Sequence, residues 1–218
     1  MKNQHPIREI PDKILEIISD NNVPCQNINA LNELEILCNK LIQNDLASGK
    51  CSELIHHARI FYSKRKWKKS GANDYDLMRN LVSSIKILVK NELKPYESVI
   101  ERLRKYRDDI NELMDLIAGK RYLKPEIKRK AQELMKALKE NLKRDYKKGA
   151  TKRGEEKMTK LELQFFHPAI HEAYTRIQSR WNSNPITSHW LDQLYSANID
   201  IEHYLGQLER IYHDPKRF

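Results

Sequence analysis

The sequence predicts an all-α protein, a multi-helix bundle of about eight or nine helices with a central antiparallel helical hairpin. The 218-residue chain has only 6 glycines and 8 prolines but is rich in Leu, Ile, Lys and Glu, a composition that favours long helices joined by short connections. Apolar residues recur at spacings of three and four, and no segment alternates as a strand would. The length allows one large or two small domains with a core that needs no disulfide or metal.

Four helices are predicted in the N-terminal segment 1–94. The first covers Ile10–Ser19, where four apolar residues recur at helical spacing. Asn29 is expected to cap a second helix that ends at Gly49, and Ser52 to cap a third. The third helix ends in or beside a block of basic residues, and the fourth follows that block.

The central hairpin is predicted over 95–148. Its first arm carries apolar residues at spacings of 4, 3, 4, 3 and 4, the a/d pattern of a helix that packs along one stripe: Val99, Leu103, Tyr106, Ile110, Leu113 and Ile117. Gly119 ends this arm and Pro125 opens the second. The stripe of the second arm is Ile127, Ala131, Leu134, Leu138 and Leu142. The two stripes can pair within one chain or between two chains.

Two segments complete the chain. The first, 149–157, contains two glycines and mixed charges and is expected to be a mobile linker. The second, 158–218, is expected to hold aromatic-rich helices, one opened by a capping box between Thr159 and Glu162 and the last starting near Asn198. All the segments together are expected to form one continuous α-helical domain.

The positive charge is concentrated in two segments. Residues 120–153 include fourteen basic and four acidic side chains, so their net charge of +10 equals that of the whole chain. Residues 59–69 include six basic side chains and no acidic one. Such a segregated excess indicates a polyanion-binding surface, although lysines on a solvated helix can also serve solubility alone.

We therefore expect a non-enzymatic nucleic-acid-binding protein that contacts phosphates with little sequence preference, as a subunit of a nucleoprotein assembly would. Neither a phosphate-binding glycine loop nor a nucleophile-elbow motif occurs. One contact zone comprises Arg65, Lys66, Trp67, Lys68 and Lys69, with the indole available to stack on a base. The other comprises Lys128, Arg129, Lys136, Lys143, Arg144, Lys147, Lys148, Lys152 and Arg153.

Two other functions stay open. The protein can be a helical adaptor or oligomerisation protein, whose stripes pair between chains and whose basic surface meets an acidic partner. It can also be a metal-dependent helical-bundle enzyme, because some carboxylate and histidine spacings match those of di-iron bundles. The candidate ligands are Glu53, His56, His167, His171, Asp200 and His203. Exposed or hydrogen-bonded histidines are the default interpretation, so no metal or cofactor is expected.

The cysteines indicate a reducing compartment. Cys25, Cys38 and Cys51 are odd in number and form no CxxC pair, which argues against a disulfide framework or a zinc site. The first residues lack the apolar stretch of a signal peptide, and no apolar run approaches the roughly 20 residues of a membrane span. A cytoplasmic protein without a membrane partner is expected.

Overall fold

A computed structural model describes residues 6–19, 28–66, 72–120, 123–178 and 188–213, and within these ranges the protein is all-α, with no strand. A 3-10 turn covers Pro6–Glu9, and a π-helical segment covers Glu162–Phe166. The α-helices are α1 (Ile10–Ser19), α2 (Ile28–Gln43), α3 (Ser48–Lys66), α4 (Ala72–Ile117), α5 (Pro125–Gly149), α6 (Lys152–Glu155), α7 (His167–Gln178) and α8 (Ser188–His213). None of the described helices combines the length and apolarity needed to cross a bilayer.

The chain divides into two compact units: unit 1 contains 1–94 with 213–218, and unit 2 contains 95–212. Helix α4 belongs to both units and passes from one to the other at Pro95. A proline inside a helix removes one backbone hydrogen bond and crowds the preceding turn. Leu93 and Val99 on either side of the proline are both buried, so packing on each side offsets that cost.

The core of unit 1 is aliphatic. Helix α1 has the predicted bounds, Ile10–Ser19, and packs against α2, which in turn packs against α3. These helices and the first part of α4 enclose side chains with no exposed surface, among them Ile14, Ile18, Leu34, Leu41, Leu54, Met78 and Ile85. Burial of such a set is the main stabilising contribution to a helical unit of this kind.

Helix α2 ends earlier than the glycine pattern predicts. Asp45 adopts a left-handed conformation, with φ of 52°. The amide of Leu46 donates to the carbonyl of Leu41, and the amide of Asp45 donates to that of Ile42, each at 3.0 Å. This pair of bonds is a Schellman motif, in which Asp replaces the usual glycine because its short side chain tolerates the left-handed region. Gly49, the predicted end of α2, therefore lies inside α3.

In unit 2 every member of the first predicted stripe, from Val99 to Ile117, is buried within the single chain. On α5 the buried positions are Ala131, Met135, Leu138, Leu142, Asp145 and Gly149. Met135 thus occupies the buried face where Leu134 was predicted, and Leu134 is half-buried. Side-chain contacts join α4 to α5, including an ion pair of 3.1 Å between Glu112 and Lys130. The contacts agree with a hairpin, whose antiparallel geometry stays a prediction.

Two features mark the helices after α6. The amide of His167 donates to the carbonyl of Glu162, five residues back, which makes the turn before Pro168 π-helical. This wider turn accommodates a residue that has no amide hydrogen to donate. Helix α8 is continuous, so Asn198, the predicted start of a separate helix, lies inside it and is buried.

Candidate polyanion-binding surface

Four cationic side chains form an exposed row on α5, which we call the outer face: Arg129, Lys136, Lys143 and Lys147. Their spacings of 7, 7 and 4 residues place them within about 40° of one another around a helix of 3.6 residues per turn. The row lies opposite the buried face of α5. Glu133 and Glu140 are exposed on the same side, and the guanidinium of Arg129 lies 3.9 Å from the carboxylate of Glu133.

The other predicted contact residues fall into three groups. Lys128 is half-buried, and Lys152 is exposed on α6. Arg144, Lys148 and Arg153 line a cleft described below. Arg65 and Lys66 lie in the last turn of α3, with side chains outside the described part of the structure, and Trp67, Lys68 and Lys69 lie outside the described residues.

Unit 2 contains a cleft of about 780 Å³, bounded by α4, α5, the segment 150–158 and the π-helical segment. Six cationic side chains line it: Arg102, Lys105, Arg144, Lys148, Arg153 and Lys157. Three carboxylates also line it: Asp109, Asp145 and Glu162. The lining therefore carries a net charge of +3, and Tyr106, Met158 and Phe166 add apolar wall. A concave, partly apolar surface with a net excess of one charge sign strengthens the local potential.

A buried carboxylate anchors the floor of the cleft. Tyr106 Oη donates to Asp145 Oδ2 at 2.9 Å, and Lys148 Nζ donates to Asp145 Oδ1 at 3.2 Å. Arg144 Nε lies 3.5 Å from the same Oδ1. Burial acts to raise the pKa of Asp145, but the hydrogen bonds from Tyr106 and Lys148 and the nearby cations outweigh it and hold that pKa below its ordinary value. The carboxylate of Asp145 is thus a buried negative charge that Tyr106, Lys148 and Arg144 already contact.

A second network positions a guanidinium at the wall of the cleft. Arg102 donates to Glu162 Oε1, and its guanidinium carbon lies 3.6 Å from the centre of the Phe166 ring. Glu162 Oε2 accepts from the backbone amide of Thr159 at 2.9 Å, and the amide of Glu162 donates to Thr159 Oγ1 at 3.2 Å. These reciprocal bonds confirm the predicted capping box. Burial acts to raise the pKa of Glu162, yet Thr159 and Arg102 lower it overall.

The segment 150–158 closes one side of the cleft through a tight backbone contact. A Cβ at Gly154 would lie 1.7 Å from the carbonyl oxygen of Lys148, so only glycine allows this approach. Thr151 Oγ1 accepts from the Gly154 amide at 3.2 Å and caps the short helix α6. The predicted linker thus contains a helical turn that contacts α5, while its mobility stays a prediction.

Three cations of the cleft take part in no short ion pair among the described residues. Lys105, Arg153 and Lys157 form no ion pair within 4 Å in the part of the chain that the structure describes. Asp109 is the remaining carboxylate, and burial raises its pKa although the charge of Lys105 opposes the shift. The positive charge of the cleft is therefore available to a bound anion.

The candidate metal ligands do not converge. Two of them pack against the ring of Tyr146, with centroid distances of 6.2 Å to His167 and 5.5 Å to His171. The other candidates are Glu53, His56, Asp200 and His203. The carboxylate of Glu53 pairs with Lys50 at 2.7 Å, and that of Asp200 with Arg176 at 3.2 Å. Among the described residues no group of three or more His, Cys, Asp or Glu side chains is placed to hold a metal ion.

Comparison with known proteins finds no matching family model, no similar curated protein and no similar solved structure. Only the residues of this chain therefore bear on its function.

Sequence reasoning missed half of the cleft cations, namely Arg102, Lys105 and Lys157. Their segments also contain acidic residues, so a search for net charge does not detect them. A usable signal exists on α4, where Arg102 and Lys105 lie along one side of the buried stripe. Basic residues beside an apolar stripe lie at the edge of a helix interface, where a cleft can form.

Proposed function

We propose that the protein binds nucleic acid with little sequence preference, through the outer face of α5 and the basic residues that follow it. The proposal rests on one observation: α5 separates a buried apolar face from an exposed cationic one. A second proposed contact zone for nucleic acid comprises Arg65, Lys66, Trp67, Lys68 and Lys69. The proposed location is the cytoplasm, where the buried free thiols of Cys38 and Cys51 would remain reduced.

The length and chemistry of the outer face suit a phosphate backbone. From Arg129 to Lys147 the face extends about 27 Å at a rise of 1.5 Å per residue. Duplex DNA presents about one charge per 1.7 Å of axis, so all four cations can meet phosphates. Lysine contacts to phosphates fix position but do not read base edges. Four such contacts imply a slope of about −3.6 for log affinity against log salt, an affinity loss of about 150-fold between 50 and 200 mM salt.

The test is a salt titration of binding to single-stranded and duplex DNA and RNA. The test variant is Lys136→Gln/Lys143→Gln, and the matched control is Lys90→Gln/Lys94→Gln, which removes two exposed lysines from the part of α4 in unit 1. We expect the outer-face variant to reduce the magnitude of the salt slope by about 2 and to bind about tenfold more weakly. The control should stay within about twofold of the unmodified protein.

Two results would contradict the proposal. One is undetectable binding to all four nucleic acids at low salt. The other is an equal loss of affinity in the outer-face variant and the control, which would indicate net charge rather than a defined surface.

The structure favours this proposal over an adaptor whose stripes pair between chains. Leu113, a member of the first stripe, has no exposed surface within one chain, so it is not available to a second copy. Light scattering distinguishes the two functions, because the adaptor must form a stable dimer and the nucleic-acid-binding protein need not.

A further inference from the structure

We propose that the cleft of unit 2 binds a terminal phosphate group, the phosphate monoester of a free nucleotide or of the 5′ end of a nucleic acid. The inference goes beyond binding along a nucleic-acid backbone, because it concerns a concave site separate from the outer face. It holds for a free nucleotide even if the protein binds no polymer.

The cleft has the size and lining of a ligand site. Its volume of about 780 Å³ falls within the roughly 300–1,000 Å³ typical of small-molecule pockets. Met158 and Phe166 provide apolar wall, while the polar groups come from α4, α5 and the segment 150–158. A cleft of this kind accommodates one phosphate together with the sugar or base to which it is attached.

The charges of the cleft favour an anion. Asp145 and Glu162, two of its three carboxylates, are already hydrogen-bonded to Tyr106, Lys148, Arg102 and Thr159. Lys105, Arg153 and Lys157 are without an ion-pair partner in the described part of the chain. Three cations that face one cavity repel one another, and a bound anion removes that repulsion.

The arrangement suits a monoester better than a phosphodiester inside a chain. A monoester carries a charge of about −1.5 to −2 at neutral pH and has three terminal oxygens. Lys105 approaches from α4, whereas Arg153 and Lys157 approach from the segment 150–158. The guanidinium of Arg102 is held in place by Phe166 and Glu162, so little side-chain entropy is lost when it contacts an oxygen.

The experiment measures the binding of AMP and adenosine by calorimetry. In parallel, anisotropy compares 12-nucleotide single strands that carry either a 5′ phosphate or a 5′ hydroxyl. The cleft variant is Lys105→Gln/Arg153→Gln, and the control with the same charge loss is Lys136→Gln/Lys143→Gln on the outer face. Lys105→Arg tests whether a positive charge at this position is enough for AMP binding. Circular dichroism verifies that every variant is folded.

We expect AMP to bind at least about tenfold more tightly than adenosine, and the cleft variant to lose at least about tenfold in AMP affinity. The outer-face control and Lys105→Arg should each stay within about threefold of the unmodified protein. A preference for the 5′-phosphorylated strand, lost in the cleft variant, identifies a nucleic-acid end as a ligand. AMP binding without that preference identifies a free nucleotide.

The inference is overturned if AMP binds no better than adenosine and the two strands bind equally. It is also overturned if the cleft and outer-face variants lose AMP affinity to the same extent. Loss of strand binding in the outer-face variant, with AMP binding retained, supports both proposals. Retention of strand binding in that variant counts against the proposed function alone, because the AMP measurements still decide the cleft.

Discussion

Replacing Tyr106 by phenylalanine should destabilise the protein by about 2 kcal/mol at neutral pH. Tyr106 is 6% exposed and Asp145 is 7% exposed, so water does not readily replace the lost hydroxyl. A hydrogen bond to a charged group contributes about 1.5–3 kcal/mol, and Lys148 and Arg144 continue to support the carboxylate. For a chain of about 200 residues, a loss of about 2 kcal/mol lowers Tm by about 4–8 °C.

The loss should depend on pH in a defined direction. Asp145 has a folded-state pKa below its ordinary value of about 3.9, so its stabilising contribution is full above that value and is lost as pH falls through the folded pKa. Tyr106→Phe removes one cause of the lowered pKa. The difference from the unmodified protein should therefore be full above about pH 5 and should shrink as Asp145 becomes protonated.

Urea unfolding followed by circular dichroism between pH 3 and 7 measures both effects. Tyr195→Phe is the matched control, because Tyr195 is 62% exposed and should change stability by less than about 0.5 kcal/mol. A loss of less than about 0.5 kcal/mol for Tyr106→Phe would refute the reasoning. So would a loss that grows as the pH falls, because the hydroxyl would then stabilise the protonated carboxyl rather than the charged carboxylate.

Three further substitutions test the packing of the chain, each by its urea midpoint. Gly154→Ala should destabilise the protein by about 1–3 kcal/mol, since its Cβ would meet the backbone carbonyl of Lys148, and a neutral result would contradict that contact. Gly206→Ala should stabilise it by about 0.5–1 kcal/mol, because this helical glycine has no atom within 4 Å of an added Cβ. Thr159→Ala should cost about 1 kcal/mol through loss of the cap to Glu162, whereas no change would mean that the capping box contributes little.

Periodicity and capping chemistry predicted the structure correctly where local sequence determines it. The bounds of α1, the buried stripe on α4 and the capping box at Thr159 all follow from side-chain spacing, and all are confirmed. The exposed row on α5 follows by the same logic, because residues opposite an apolar stripe face solvent. Its role in binding stays a prediction.

The misplaced boundaries have a common cause. Gly49 and Asn198 belong to residue types that often end or start helices, yet each lies inside a helix of this protein. The true end of α2 uses Asp45, whose left-handed conformation is one of several that an Asp can adopt. Local preference therefore cannot distinguish a helix end from a helix interior without knowledge of what the neighbouring helices bury.

The cleft could not be located from sequence for a different reason. Arg102 lies 60 residues from Glu162 along the chain, and Tyr106 lies 39 residues from Asp145. No local pattern connects such partners, because helix packing alone brings them together. The basic residues of 144–153 were predicted as a contact zone, but their place around a cavity depends on α4 and the π-helical segment.

The continuity of α4 affects how the protein can be divided into fragments. A cut between Lys94 and Pro95 severs a helix, yet it removes one fewer backbone hydrogen bond than a cut elsewhere, because proline donates none. A fragment that starts at Pro95 begins its helix with a residue well suited to the first position. The N-terminal fragment would be left with an uncapped helix end. Expression of 95–212 alone is thus the more promising choice for a crystallographer who wants the cleft in isolation.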